Sequence, residues 1–264
     1  MMRLILSLLL IAVPVLGVYT YKVAPEWGIW FPANVSTFGD KIDGLYYLIQ
    51  WMVGIVFVLT EGALFWFVFR YSRRDASKAT FTHGNHTLEM VWTAIPAVLL
   101  LVIAFAQMGT WADIKFASGI EKNTASGPYS IEKPTAEVVA YQFAWLFRYP
   151  DEHGDFDGPG AFEQQYDLVV PEDTPVVLHL KSRDVLHSFF VPQFRLKQDA
   201  VPGMTIPIWF DCKKGHYELI CAELCGWGHY KMAGRVRVLP QAEYETWLAG
   251  ARAEFMSNGQ EDAQ

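Results

Sequence analysis

Charge is scarce in this chain, and cysteine scarcer. Only 19% of its 264 residues are Asp, Glu, Lys or Arg, and only three are Cys. With 52% apolar and 15% aromatic residues, that poverty of charge excludes a disordered or collagen-like chain. No strongly basic patch offers a footprint for nucleic acid, so no nucleic-acid partner is expected. Internal repeats and a glycine-rich nucleotide signature are missing. So is Cys-x-x-Cys-His, which excludes a fused c-type haem.

The charge that is present is unevenly placed. Through Met108 the chain carries 7 Lys/Arg against 6 Asp/Glu, and from Gly109 onward 14 against 22. A near-neutral part therefore precedes one with a net charge of −8, and the apolar excess lies in the first. This predicts a membrane anchor followed by an acidic folded domain.

The hydrocarbon core of a bilayer takes about 20 helical residues. Residues 45–69 are apolar and aromatic, and residues 91–108 contain no charge. Between them Arg70, Arg73, Arg74 and Lys78 mark the cytoplasmic side by the positive-inside rule. Residues 45–110 thus read as a transmembrane helical hairpin with a cytoplasmic loop at 70–90, which leaves 22–44 and everything after Trp111 on the outer face. Residues 1–21 combine a basic start with a short apolar run and no Cys for lipid attachment. They read as a signal peptide or an extra membrane helix. Glu61, inside the first span, is costly in lipid and is expected to face protein, which points to packing against other membrane helices.

A polar connector at 111–135 leads into short runs with period-two alternation or β-branched residues, at 137–143, 166–170, 175–181, 204–210, 216–220 and 234–239. Bounded by Gly, Pro and Asp, they predict an all-β sandwich or barrel over 136–240. Residues 241–264 read as a C-terminal helix to Phe255 and a frayed tail from Ser257.

Two of the three cysteines fall in Cys221-Ala-Glu223-Leu-Cys225-Gly-Trp-Gly-His229-Tyr-Lys-Met232. Soft thiolates, an imidazole and a thioether within twelve residues form a ligand set that favours copper. Gly226 and Gly228 allow the loop to fold tightly enough for the four side chains to converge. His187, in Asp184-Val-Leu-His187-Ser-Phe, is a further candidate from the end of another run. A disulfide would leave both histidines without a role, and structural zinc would leave Met232 without one. Cys212 reads as a buried apolar thiol, and His83, His86, His153, His179 and His216 lack ligand company.

The C-x-E-x-C-G-x-x-H-x-x-M run, with D-V-x-H-S-F upstream, resembles subunit II of haem–copper cytochrome c oxidases, and the resemblance covers nearly the whole chain. It implies a hairpin anchor carrying a cupredoxin domain, a Greek-key β-sandwich, on the periplasmic face of a bacterial inner membrane. It also implies an electron-accepting role within the oxidase. Electrons from a cytochrome c-type donor would arrive at a dinuclear copper A centre and pass to the haem of subunit I, the seat of oxygen reduction and proton pumping. By position, Cys221 and Cys225 would bridge two coppers and His187 and His229 would each cap one. Met232 would ligate one copper, and the backbone carbonyl of Glu223 the other. The Glu223 side chain resembles the carboxylate that helps bind magnesium at the subunit I interface. Glu89 resembles the one near the mouth of a proton path, His229 the residue on the electron's exit route, and residues 192–203 the segment lying against subunit I. Trp227, Phe189 and Phe190 are expected to keep water from the sulfurs.

One segment departs from the family pattern. The family commonly carries Gln-Trp-x-Trp, whose first Trp receives the incoming electron; here the sequence is Gln142-Phe143-Ala144-Trp145. The accepting ring is therefore Phe143 or Trp145, or the donor docks differently. The charge of −8 would attract a basic carrier such as a small cytochrome c. A membrane-anchored copper delivery or sensing protein is the alternative from another class, and it would need fewer and more exposed ligands. A quinol oxidase subunit II would keep the fold without the copper ligands.

Overall fold

The computed structural model describes residues 2–71 and 81–261. The cations Arg73, Arg74 and Lys78, on which the cytoplasmic assignment of the loop rests, lie outside the described residues. The chain divides into two units, Met1–Pro32 with Asp43–Met108, and Ala33–Ile42 with Gly109–Gln264.

The first unit is helical. It is built from α1 (Met2–Val23) and most of α2 (Gly39–Tyr71) and α3 (His86–Lys115). α2 and α3 are 33 and 30 residues long, and both are long and apolar enough to cross a membrane. At about 1.5 Å per residue each exceeds a hydrocarbon core of about 30 Å. They expose Leu59, Phe67, Leu100 and Phe105, side chains that need lipid or another protein around them. Pro14 and Pro96 sit inside α1 and α3. An aromatic cluster gathers at one end: the Tyr21 ring lies 5.4 Å from Trp30 and 6.1 Å from Trp51, and Trp30 Nε1 donates to Tyr47 Oη at 3.1 Å.

The second unit is a sandwich of two five-stranded sheets. Its strands are β1 (Ala136–Tyr141), β2 (Ala144–Tyr149), β3 (Phe162–Gln165), β4 (Asp167–Pro171), β5 (Val176–Ser182), β6 (His187–Val191), β7 (Leu196–Ala200), β8 (Ile206–Phe210), β9 (Gly215–Cys221) and β10 (Ala233–Leu239). One sheet runs β3-β2-β1-β5-β8, the other β4-β10-β9-β6-β7. This is the cupredoxin sandwich expected from the sequence. Alternation places Val236 and Val238 of β10 in the core while Arg235 and Arg237 stay at least partly exposed, so a one-residue slip would bury charge. Trp145, Phe147, Phe189, Phe194, Phe210 and Leu219 fill the space between the sheets. The Tyr149 hydroxyl spans them: it accepts from Val169 N–H at 2.7 Å and donates to Val169 O at 2.9 Å.

Within the connector Ala117–Thr124 forms α4, with Ile120 fully buried. One local expectation needs correction. The C-terminal helix α5 runs from Gln241 through Glu261, past Ser257, where fraying was expected. Residues 33–42 also join the sandwich. Val35 N–H donates to Gln193 O at 3.1 Å, Ser36 Oγ to Phe194 O at 2.9 Å, and Thr37 N–H and Oγ1 both donate to Asp211.

Candidate metal centre

The strand ladder aligns the candidate ligands. β6 pairs antiparallel with β9, placing Phe189 opposite Cys221, and His187 opens β6 two residues earlier. Cys221 ends β9; the chain then loops through Cys225, makes a short 3-10 turn at His229–Lys231 and enters β10 just after Met232. Backbone bonds close the loop: Cys221 N–H to Met232 O at 3.1 Å, Ala222 N–H to Ser188 O at 3.0 Å, and Met232 N–H to His229 O at 3.1 Å.

The two glycines are required for contact as well as for tightness. Gly226 has φ +134°, a conformation that side chains disfavour. A Cβ on Gly228 would lie 2.5 Å from the Phe143 ring, and one on Gly226 would lie 2.8 Å from Gln142 Nε2. The Phe143 ring therefore rests directly on ligand-loop backbone, and the Gln142 side-chain amide donates to Cys225 O.

Five side chains and one carbonyl converge. The two Sγ atoms are 3.9 Å apart, far beyond the 2.05 Å of a disulfide, and both cysteines are free. His187 Nδ1 lies 3.9 Å from Cys221 Sγ, and His229 Nδ1 lies 3.7 Å from Cys225 Sγ. Met232 Sδ is 3.8 Å from Cys225 Sγ, and the Glu223 carbonyl oxygen is 3.2 Å from Cys221 Sγ. A metal holds sulfur at about 2.3 Å and nitrogen at about 2.0 Å, which brings such donor atoms to separations of this order. The donor set therefore fits a soft metal. His187, Cys221, Cys225 and Met232 are buried, and His229 is half-buried.

The electrostatics favour a cation. Burial works against ionising Cys221, yet contacts with the His187 ring, the loop backbone and His229 hold its thiol down to about 6. Burial and the neighbouring Cys221 push Cys225 up to about 11. One thiolate thus forms easily, and the second needs a metal to draw off its proton. Cys212, outside the cluster, is buried and its thiol pKa is raised by desolvation, as expected of an apolar thiol.

Asp184 is the residue that sequence reasoning passed over. Its Oδ1 accepts from His187 Nε2–H at 2.8 Å and from Val185 N–H at 2.7 Å, and its Oδ2 accepts from Gln142 N–H at 2.7 Å. Burial opposes its charge, but these donors hold its carboxyl below the usual carboxylate range. A carboxylate three residues before a candidate ligand His was the available signal.

The rings around the cluster differ from expectation. Phe189 is buried, but Trp227, expected as a shield, is 77% exposed. The ring that lies over the two loop glycines is Phe143, 5.2 Å from that of Trp227. Trp145 is fully buried behind His187, ring centroids 6.3 Å apart, so Phe143 alone of the two candidate accepting rings approaches the surface. Glu89 belongs to the helical unit, in the first turn of α3, 3.2 Å from His86 Nδ1.

Comparison with known proteins agrees along the chain. Residues 135–238 match the family "Cytochrome C oxidase subunit II, periplasmic domain", and residues 24–109 match its transmembrane domain. The cytochrome c oxidase subunit 2 of Thermostichus vulcanus is 30% identical over 82% of this chain and 76% of its own length. The chain belongs to the cytochrome c oxidase subunit II family. Another subunit II relative, the alternative cytochrome c oxidase subunit 2 of Bradyrhizobium diazoefficiens, is 27% identical over 92% of this chain and 90% of its own. Among solved structures, the periplasmic domain of subunit II of cytochrome oxidase of Bradyrhizobium japonicum is similar, with 29% identity and a TM-score of 0.42 over 46% of this chain and 95% of that one. As a cytochrome c oxidase subunit II, the chain combines a membrane anchor with a periplasmic domain, the two parts that the family description names.

Proposed function

We propose that this subunit accepts single electrons at a dinuclear copper A centre and passes them to subunit I of the same oxidase. The carrying observation is the convergence of two thiols, two Nδ1 atoms, a thioether and the Glu223 carbonyl within 3.2–3.9 Å of a neighbour in the set. When bound, the copper pair supplies a one-electron acceptor whose charge is shared between two metals. The chain's own residues do the rest. Cys221, Cys225, His187, His229, Met232 and the Glu223 carbonyl would hold the copper. Asp184 fixes the His187 tautomer so that Nδ1 faces the cluster. The Phe189 side and the sandwich core exclude water. Burial of His187, Cys225 and Met232 suits a retained metal better than one handed over, which argues against copper delivery or sensing.

In the same reading the electron donor is a cytochrome c-type protein, and electrons leave through His229 toward subunit I. The Glu223 side chain contributes to a magnesium site at that interface, and Glu89 stands at the mouth of a proton path. The chain sits in a bacterial inner membrane with its sandwich in the periplasm. The test is metal analysis and electron paramagnetic resonance on the purified oxidase. Two coppers per subunit II and a mixed-valence, seven-line hyperfine pattern are expected; one copper with four lines overturns the dinuclear reading.

A further inference from the structure

A tryptophan left 77% exposed beside a buried metal loop is unusual, because so large an apolar ring gains by being covered. Trp227 sits between Cys225 and His229, so the path from its indole to a sulfur crosses only two peptide bonds. It is propped rather than loose. The Phe143 ring meets it edge-on, centroids 5.2 Å apart and planes at 67°, and Lys231 Nζ stands 4.7 Å from the centre of the indole. Leu224 and Tyr230, on the same loop and turn, are 76% and 82% exposed. The other indole near the cluster, Trp145, has no exposed surface.

We infer that Trp227 is the docking and electron-accepting residue for a soluble one-electron haem protein that presents its haem edge within an apolar ring. The inference rests on the copper reading above and names the surface that serves it. Two observations select this occupant. The exposed ring is continuous with the ligand loop, so whatever covers it is joined to the metal site by one short stretch of backbone. The exposed side chains beside it on the loop, Leu224 and Tyr230, are uncharged, and the charge placed against the ring is the cation Lys231 and not a carboxylate, so a partner meets an apolar surface there while the acidic remainder of the domain acts only at a distance. The step balances simply. One electron leaves the ferrous haem, which becomes ferric, and arrives at the metal centre; no bond forms or breaks and no proton moves. The indole stays closed-shell and serves as the bridge.

The experiment uses the complete oxidase carrying Trp227→Ala or Trp227→Phe. Copper content and the paramagnetic spectrum are recorded first. Binding of ferric mitochondrial cytochrome c and of an acidic bacterial cytochrome c is then measured by surface plasmon resonance, and turnover with the same two reduced proteins follows. A photoexcited ruthenium tris-bipyridine complex, which injects an electron without docking, is the reference. Trp227→Ala should weaken binding and raise KM about tenfold or more for whichever cytochrome supports turnover. The effect should be equal at low and high salt, because the contact is apolar. Trp227→Phe should recover most of the binding, and electron injection from ruthenium should be unchanged. Binding and KM within twofold of wild type in Trp227→Ala, with copper intact, overturn the inference. So does a loss that vanishes at high salt. Failure of the copper reading shows separately, as a wild-type complex without two coppers.

Discussion

Asp184 Oδ1 accepts a hydrogen bond from His187 Nε2 at 2.8 Å, while the other nitrogen of that ring faces Cys221 Sγ at 3.9 Å. One carboxylate therefore decides which nitrogen is free to bind metal. Because Asp184 also holds the Gln142 N–H, it ties the ligand histidine to the β1–β2 turn. Asp184→Asn keeps the shape and removes the charge. Copper affinity, measured by competition with a chelator, should fall about 10- to 100-fold. An unchanged affinity would show that backbone packing alone orients His187.

Gly228→Ala forces a methyl to within 2.5 Å of the Phe143 ring. The loop must move, and copper content should drop. Adding Phe143→Ala should restore much of the loss, because the clash disappears with its partner. Losses that simply add would mean that the glycine matters for reasons unconnected with Phe143.

Met232→Leu preserves volume and removes the thioether. The cost to stability should stay below about 1.5 kcal/mol, both coppers should remain, and the midpoint potential should shift. A potential unchanged in a redox titration would remove Met232 from the ligand set.

His179 gives a pH test away from the metal. Burial, partly offset by the bond from Nε2–H to Ile131 O at 2.8 Å, holds its pKa below the ordinary 6.5. The unfolded chain then takes up a proton on this residue at pH values where the folded chain does not. Its contribution is full above pH 6.5 and declines as pH falls from there. His179→Gln should flatten this part of the Tm-versus-pH curve; parallel curves for the two proteins would refute the assignment.

Tyr149→Phe deletes the hydroxyl that satisfies both backbone groups of Val169 across the sandwich. Because the side chain is fully buried, the change should cost about 1–3 kcal/mol in denaturant unfolding. A cost near zero would mean that the Val169 groups find other partners.

The sequence displayed the ligand set because four of its five side chains lie within twelve residues and their chemistry is local. Strands with one wet face were legible for the same reason: β10 alternates Arg and Val. β2 and β6 were not, since Ala144–Tyr149 and His187–Val191 are buried on nearly every residue and carry no period-two signal. β7 was hidden by Lys197, Gln198 and Asp199 in its middle. Asp184 and Trp227 were misjudged because their roles depend on Gln142 and Phe143, some forty and eighty residues distant, which only the folded sandwich brings alongside.

The short stretch at 33–42 has a consequence for the order in which the protein is made. Ser36 bonds to a carbonyl 158 residues later in the chain, and Thr37 to a carboxylate 174 residues later. This segment leaves the ribosome early, yet its partners do not exist until both long apolar helices and most of the sandwich have been synthesised. Its closure onto Gln193, Phe194 and Asp211 is thus among the last folding events, and it carries the largest loop-closure cost of any contact described above. A nascent chain halted before residue 193 would hold this segment without any of these partners, which makes its protection from proteolysis a direct clock for completed biogenesis.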